Sequence, residues 1–532
     1  MFDRLLAASL FARRHLVSRA LCSRALLSRS LKQSPLLPFL PLPLLVLGMV
    51  APARALEEVQ LQLPLLEVGF TVRVSELGDS AKLFNGSSDL AEVDRATNGM
   101  LGARLTELFG TSLPVGTKAL LKNAAGTPMF EQALLVASTL GSIDGVAANI
   151  NGNELTEALR RASANGDVTI QTLLQALPGR TASVDLGSAL GGLQRLKNQF
   201  RPAQRLLRSL PPASVDPAQA APGDLPLHSS TQKLAVKHRG EPLEMVVIRP
   251  QQGGNGRLLV ISHGLWDGPT SFEGWARHLA GRGYAVVLPL HPGSDRSQQQ
   301  AMLSGKRPPP GPQELRLRPL DVSAVLDGVG SGAIEGLAGV DSRRVAVIGH
   351  SWGATTALQL AGVTPSSRRL RERCESLNDP DRNLSWVLQC SFLDAADRAA
   401  LADPRVVTVV AVSPPVNLLF DYNSTKEANA RVLLVSGSRD WVVPSGPEAI
   451  DRFRRPSENG HQLVLANGGD HFNLRGHDQG GPLRALLLSW IDASFASRAP
   501  LAPAPGAEGL LPSGGWGDAE VPLILVPTAS LR

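Results

Sequence analysis

The chain has 532 residues, 43% of them hydrophobic, which is enough for two or more globular domains with ordinary cores. Its formal net charge is +6, but residues 1–55 alone carry +7, so the rest of the chain is nearly neutral. This distribution argues against a nucleic-acid-binding surface on the folded part, since such a surface needs clustered positive charge. We therefore expect no nucleic acid among the partners.

Residues 1–55 have the features of an export leader. A basic segment extends to Lys32, an apolar segment follows from Pro35 to Val50, and Ala53-Arg54-Ala55 has the small-x-small form of a cleavage site. We expect an exported protein, periplasmic or secreted, after cleavage near Ala55. The Arg-, Ser- and Leu-rich composition also fits targeting to an organelle, or membrane association through an uncleaved leader.

Residues 57–205 are predicted to form a smaller, mostly helical domain. Two short alternating segments, 59–63 and 70–74, are predicted to pair as a hairpin. From Leu90 to Phe200 apolar residues recur three and four positions apart, which is typical of amphipathic helices.

A Pro- and Ala-rich stretch at 206–230 is expected to be a linker to a second domain at 231–497. The first strands of that domain are predicted at Thr231–His238 and Leu243–Ile248. Residues 498–532 are rich in Pro, Gly and Ala and are expected to be a disordered tail.

A buried strand, Arg257–Ser262, is followed by the tight pair His263-Gly264. The backbone N–H of Leu265, the next residue, is predicted to be one donor of an oxyanion hole. The alternative is an ordinary loop with an incidental His-Gly pair.

The strongest motif is Gly349-His350-Ser351-Trp352-Gly353, which follows an apolar run and precedes a helical pattern. This order predicts a nucleophile elbow, a tight strand-to-helix turn that exposes the hydroxyl of Ser351. The two glycines are expected because a Cβ atom there would meet neighbouring backbone. The N–H of Trp352 is predicted to be the second oxyanion donor.

Two cysteines, Cys374 and Cys390, remain after removal of the leader. In an oxidising compartment they are a candidate disulfide that would staple the polar, turn-rich segment between them. The alternative is two reduced cysteines that are buried separately.

The acid and base are predicted from the loops after two later strands. The strand Arg431–Gly437 leads to Asp440, and the strand Gln462–Ala466 leads to His471. His471 would accept the proton of the Ser351 hydroxyl, and Asp440 would orient the imidazole. Asp421 is the rival acid and His477 a rival base, whereas Asp470 is interpreted as a turn former.

These motifs are similar to those of α/β-hydrolases. Residues from about Leu243 to Ala493 resemble the platelet-activating-factor acetylhydrolase and dienelactone hydrolase-like group, and the region before them resembles a domain of unknown function that precedes such hydrolases, largely in cyanobacteria. The resemblance implies a mostly parallel central sheet flanked by helices. Typical dienelactone hydrolases have cysteine where Ser351 stands, and acetylhydrolases have Phe-Gly-Gly where this chain has Trp352-Gly353-Ala354.

Together the residues predict a serine esterase or lipase that forms an acyl-enzyme on Ser351, acting on a small-molecule ester or lipid, acyl-phospholipids included. No metal and no organic cofactor is required. Trp266, Trp352 and Trp441 flank the catalytic loops and are candidates to line an acyl pocket, although packing of the loop bases would explain them equally well.

Two further functions are compatible with the same residues. A thioesterase or peptidase would use the same triad, and a non-catalytic binding or scaffold protein could have the same fold. Peripheral membrane contact is a further option, and the sequence does not predict the oligomeric state.

Overall fold

The computed structural model describes residues 56–62, 69–110, 123–138, 141–143, 153–166, 168–421, 428–453, 461–475, 479–497 and 509–531. The predicted leader and the rival base His477 lie outside these residues. Among the described residues, no helix has the length and apolar character needed to cross a membrane.

The strands are β1 (Glu58–Gln62), β2 (Gly69–Arg73), β3 (Gly141–Ile143), β4 (Thr181–Asp185), β5 (Leu227–Leu234), β6 (Leu243–Pro250), β7 (Arg257–Ser262), β8 (Ala285–Pro289), β9 (Asp341–His350), β10 (Val406–Val412), β11 (Arg431–Gly437), β12 (Gln462–Ala466) and β13 (Leu523–Val526). The α-helices are α1 (Ser80–Phe84), α2 (Asp89–Ala96), α3 (Met100–Gly110), α4 (Pro128–Ser138), α5 (Asn153–Ala162), α6 (Ile170–Ala176), α7 (Leu186–Ser209), α8 (Pro217–Ala220), α9 (Glu273–Gly281), α10 (Arg296–Leu303), α11 (Glu314–Gly330), α12 (Trp352–Leu360), α13 (Arg368–Arg373), α14 (Trp386–Cys390), α15 (Asp451–Phe453) and α16 (Arg484–Ala496).

Strands β5 to β13 form one mixed sheet in the order β13-β12-β11-β10-β9-β7-β8-β6-β5. The pairs from β12 through β8 are parallel, and β6, β5 and β13 add antiparallel edges. The central strands are nearly continuous runs of buried Val, Ile and Leu because helices cover both of their faces. The carboxyl ends of β7, β9, β11 and β12 therefore meet at one edge of the sheet.

Two apolar cores lie on opposite sides of this sheet. Helices α11 and α12 contribute Leu315, Val322 and Ala354 to one core. Helices α9 and α16 contribute Trp275 and Trp490 to the other. The predicted mostly parallel sheet flanked by helices is present.

The described part of the N-terminal region contains more strands than the predicted hairpin. It contains a second sheet of four strands, in the order β2-β1-β4-β3, with helices packed beside it. The predicted hairpin is confirmed as β1 and β2, one residue earlier than expected, with Val59 opposite Val72.

The described residues of this region lie in the same compact unit as the large sheet. Helix α7 contains residue 205, the predicted end of the N-terminal domain, and packs Ala203 and Leu206 against Leu434 and Leu463 of the large sheet. The amphipathic pattern of α7 was visible in the sequence, but its partner was not.

The predicted linker at 206–230 is wrong in its bounds. Helix α7 continues to Ser209, a short helix α8 follows, and β5 begins at Leu227 rather than at Thr231. A backbone hydrogen bond ties this stretch to the C-terminal segment. The Ala213 N–H donates to the Leu523 carbonyl at 2.8 Å.

The predicted disordered tail is wrong for residues 509–531. Strand β13 pairs antiparallel with β12, and Leu523 and Ile524 are buried. The composition alone predicted disorder. Four consecutive apolar residues, Leu523–Val526, nevertheless form a strand that pairs with the edge of the large sheet.

Candidate active site

Four parallel strands deliver the predicted catalytic residues to one edge of the sheet. Leu265 follows β7, Ser351 follows β9, Asp440 follows β11 and His471 follows β12. In open α/β sheets, sites collect at the carboxyl ends of the strands, where loops from neighbouring strands lie side by side.

The turn at Ser351 has the strained geometry predicted for a nucleophile elbow. Its φ and ψ are 54° and −122°, a conformation that costs a non-glycine residue on the order of 1–3 kcal/mol. The N–H of Ser351 donates to the Val412 carbonyl at 2.9 Å, which holds the turn against β10. A Cβ on Gly349 would lie 2.1 Å from the Gly353 carbonyl oxygen, and one on Gly353 would lie 2.0 Å from the Ser262 carbonyl oxygen. Both positions therefore require glycine.

Asp440 and His471 form a buried hydrogen-bonded pair. His471 Nδ1 lies 2.9 Å from Asp440 Oδ2, and Asp440 has no exposed surface. The second carboxylate oxygen accepts the N–H groups of Val442 and Val443 at 3.0 and 2.8 Å. With its Nδ1 proton held by this carboxylate, the His471 ring presents Nε2 as a base.

His350 supports the backbone of His471. Its Nε2–H donates to the His471 carbonyl at 2.9 Å, and the two ring centroids are 4.8 Å apart. Burial, reinforced by His471 and Arg475, lowers the pKa of His350 well below its usual range, so the ring is neutral at pH 7. His350 is thus a hydrogen-bonded packing residue.

The loop after β7 lies directly beside the elbow. A Cβ on Gly264 would lie only 3.2 Å from Ser351 Cβ, so a side chain at this position would crowd the serine. Among the described residues the N–H groups of Leu265 and Trp352 have no hydrogen-bond partner, whereas the next N–H of the loop, that of Trp266, donates to the Ser294 carbonyl at 2.7 Å. Two unpartnered N–H groups beside a serine hydroxyl are suited to hold an oxyanion.

Arg318 lies beside the loop after β7 and the Trp352 ring, and the sequence interpretation missed it. It is fully buried, its Nη2 donates to the His263 carbonyl, and its Cζ lies 4.8 Å from the centroid of the Trp352 ring. Burial lowers the pKa of Arg318 to about 9, so the guanidinium stays charged at neutral pH. One buried cation therefore contacts Trp352, which carries one predicted donor, and His263, two residues before Leu265, which carries the other.

A network of buried, hydrogen-bonded side chains also contacts the loop after β7. The His291 ring lies between two side chains, with Nδ1 2.8 Å from Asp321 Oδ2 and Nε2 2.9 Å from Ser262 Oγ. The backbone N–H of His291 donates to His263 Nε2 at 3.0 Å. Burial lowers the pKa of His291 to about 4, so the ring is neutral and accepts the Ser262 hydroxyl. Burial would raise the pKa of Asp321, but hydrogen bonds from His238, His291 and Arg239 outweigh it and lower that pKa. The polar run directly after buried strand β8 was the available signal for this network.

Ser351 and His471 open onto one cavity of about 710 Å³. Trp266 and Trp441 also line it, but Trp352 does not, because its side chain is fully buried against Arg318 and Phe392. The expectation for Trp352 as a pocket residue is therefore wrong. A cavity of this size is typical of small-molecule sites, which span roughly 300–1,000 Å³.

The charged groups in the cavity lining are few. Asp267 lies 2.9 Å from Arg475 and 3.5 Å from Arg296, so two guanidinium groups share one carboxylate. The remaining lining is largely apolar, and it includes residues of α4 and of the segment around α14.

The cysteine-flanked segment forms part of this wall. Cys374 and Cys390 are joined by a disulfide, as the sequence suggested. Buried Glu448 anchors the same segment, since its Oε1 accepts from Asn383 at 2.9 Å and its Oε2 accepts the N–H groups of Val416 and Asn417, both at 2.7 Å.

The rival residues have other partners. Asp421 lies 2.6 Å from Arg368. Asp470 accepts the N–H groups of Phe472 and Asn473 at 2.7 and 2.8 Å, which is the turn-forming role predicted for it.

Within the described residues, no group of three or more His, Cys, Asp or Glu side chains is arranged to bind a metal ion. A search of curated proteins found no match to the chain. A family model described as alpha/beta hydrolase fold matches residues 257–404, which include Leu265 and Ser351, whereas Asp440 and His471 lie beyond the match. The match and the sheet around it show that the chain has an α/β-hydrolase fold, and this fold suggests hydrolase activity in general.

Proposed function

We propose that the protein is a serine hydrolase of carboxylic esters, with Ser351, His471 and Asp440 as its triad. The proposal depends above all on one arrangement. Ser351 stands on a strained elbow, His471 is bonded to buried Asp440 at 2.9 Å, and the serine and the histidine face the same cavity.

The reaction follows from these positions. His471 Nε2 accepts the hydroxyl proton while Ser351 Oγ attacks the ester carbonyl, and the carbonyl oxygen becomes an oxyanion held by the N–H groups of Leu265 and Trp352. The tetrahedral intermediate then expels the alcohol, which takes the proton from His471, and an acyl-enzyme remains. Water repeats the sequence, releases the acid and restores the Ser351 hydroxyl.

The electrostatics support this assignment. The buried Asp440 carboxylate stabilises the imidazolium that forms during proton transfer, in a site with little water to screen it. Buried Arg318 contacts the His263 carbonyl and the Trp352 ring. Donors that are already positioned need no rearrangement as the oxyanion forms.

The first test is hydrolysis of p-nitrophenyl esters together with labelling by a fluorophosphonate. We expect Ser351→Ala to lose labelling and to lower kcat by a factor on the order of 10⁴–10⁶. Ser331→Ala, a serine at the exposed C-terminal end of α11, is the matched control and should keep both properties.

Folded wild-type protein that neither hydrolyses esters nor reacts with the fluorophosphonate would contradict the proposal and favour a binding or scaffold role. A thioester and a p-nitroanilide with the same acyl group distinguish the reactions that this triad can catalyse. We expect the oxygen ester to react with the highest kcat/KM. A higher value for the thioester or the anilide would assign a thioesterase or a peptidase.

Within the α/β-hydrolases, the proposal places the chain near the platelet-activating-factor acetylhydrolase and dienelactone hydrolase-like group. The support is Ser262-His263-Gly264-Leu265 and the elbow motif around Ser351. The substrate is accordingly a small-molecule ester or a lipid, taken from solution or from a membrane surface.

We also propose that the protein is exported, with cleavage near Ala55. The Cys374–Cys390 bond supports an oxidising compartment, because disulfides persist there and are rare in the cytosol. Protein purified from that compartment should begin at Leu56 and show no free thiol when unfolded, and two after reduction. Two reactive thiols before reduction would contradict the export proposal.

A further inference from the structure

Helix α4 belongs to the N-terminal region, yet it reaches the candidate active site. Its residues Met129, Phe130 and Ala133 line the same cavity as Ser351 and His471. The helix lies more than a hundred residues before the segment matched by the α/β-hydrolase model, which begins at residue 257. Neither the fold nor the triad therefore accounts for its presence.

Two contacts fix α4 at this position. Met129 is only 4% exposed and belongs to the apolar core on the α12 side of the large sheet. In the segment that precedes the helix, the side-chain amide of Asn123 donates to the carbonyl of Gly305, in the turn that follows α10. The helix also packs against α14, which ends at the disulfide-bonded Cys390.

The α4 residues in the cavity lining are apolar. Beside the three α4 residues, the same lining includes the apolar Met302 and Leu303 from the end of α10 and Leu388 from α14, together with the polar Gln299 of α10. None of the apolar side chains offers a hydrogen bond to a polar substrate group, Met sulfur being at best a weak acceptor. A hydrocarbon chain is the group that gains free energy by leaving water for such a wall.

We infer that α4 is the acyl-chain wall of the site and that the substrates are esters of acids with an extended apolar chain. This inference rests on the proposed esterase function. The acyl group, rather than the alcohol, is assigned to this space because it stays bound through both half-reactions, whereas the alcohol must leave after the first. Phe130 and Ala133 then determine chain length, since one is a large and the other a small lining side chain.

The test is the dependence of kcat/KM on acyl length, from acetate to decanoate p-nitrophenyl esters. Each buried methylene contributes about 0.8 kcal/mol, or about fourfold in kcat/KM, until the space is filled. We expect Ala133→Phe to move the optimum to shorter acids and Phe130→Ala to move it to longer ones. Glu131→Gln, on the same helix but outside the cavity lining, should keep the wild-type profile.

A second readout does not need catalysis. Decanoate should bind to Ser351→Ala protein, and adding Ala133→Phe should weaken that binding at least tenfold. Circular dichroism and the unfolding midpoint would verify that each variant is folded.

The outcomes separate the two claims. Ser351-dependent hydrolysis whose acyl profile is the same in both α4 variants would overturn the acyl-wall inference and leave the esterase proposal standing. So would a shift that occurs only when the alcohol chain is varied with the acyl group held constant. If no ester reacts, the esterase proposal fails, and decanoate binding still decides whether α4 bounds a hydrocarbon site. Equal binding with and without Ala133→Phe would overturn it.

Discussion

At the scale of single residues, the candidate site depends on a few specific hydrogen bonds. Asp440 uses one oxygen for His471 and the other for two backbone N–H groups. His471 in turn receives support at its backbone carbonyl from His350. An acid that is both buried and fully bonded can fix one tautomer of the imidazole.

Asp440→Asn tests this role. The amide has the same shape, but it can donate to Nδ1 and so favour the imidazole tautomer that cannot accept the serine proton. We expect kcat for a p-nitrophenyl ester to fall by about 10³–10⁴. Asp421→Asn changes the rival acid, which lies beside Arg368, and should leave kcat close to the wild-type value. A larger loss in Asp421→Asn than in Asp440→Asn would reverse the assignment.

At the scale of elements, the C-terminal segment pairs with the edge of the large sheet, although its Pro-, Gly- and Ala-rich composition predicted disorder. Strand β13 covers the edge of β12 and buries Leu523 and Ile524, so the C-terminal segment completes the core on that side. An uncovered edge strand would present unpaired backbone groups, and this pairing removes them.

Ile524→Ala should destabilise the protein by about 2–5 kcal/mol if β13 is part of the core, since a buried side chain is replaced by a smaller one. Exposed Glu520→Ala, just before the strand, is the control and should have an unfolding midpoint near that of wild type. Urea denaturation followed by tryptophan fluorescence measures both. Equal midpoints for the two variants would show that the strand contributes nothing, as a disordered tail would.

At the scale of the whole molecule, four of the buried histidines among the described residues couple stability to pH. Burial, reinforced by neighbouring arginines or histidines, lowers the pKa of each, to about 4 for His278 and His291 and well below the usual value for His263 and His350. The unfolded chain takes up these protons near pH 6.5, whereas the folded protein resists them. Their contribution to stability is therefore complete above pH 6.5 and is lost as the pH falls toward 4.

We expect the free energy of unfolding to fall between pH 7.5 and 5, by at most about 1.4 kcal/mol per pH unit for each histidine. His278→Leu is the informative variant, because neither of its ring nitrogens has a hydrogen-bond partner among the described residues. It should reduce the pH dependence and stabilise the protein at pH 5, whereas exposed His228→Asn should do neither. An unfolding free energy that is the same at both pH values would contradict this account.

The sequence by itself determined the elements whose signals are local. A buried strand, a Gly-x-Ser-x-Gly turn and a helix are contiguous at Ser351, and the polar residues Asp440 and His471 directly follow buried strands. Since parallel strands end at one edge, this order alone was enough to predict that these residues converge. The cysteine pair could also be predicted, although only the fold brings its two members together.

The tertiary structure decided whatever depends on contacts between distant parts of the chain. The contacts of Arg318 with His263 and Trp352, the entry of α4 into the cavity and the pairing of β13 all join segments whose local sequences are ordinary. An arginine within a helical pattern is typical of a surface position, and a short apolar strand after a Pro-rich stretch is typical of a tail. Their roles come from burial and pairing free energies that only the assembled fold provides.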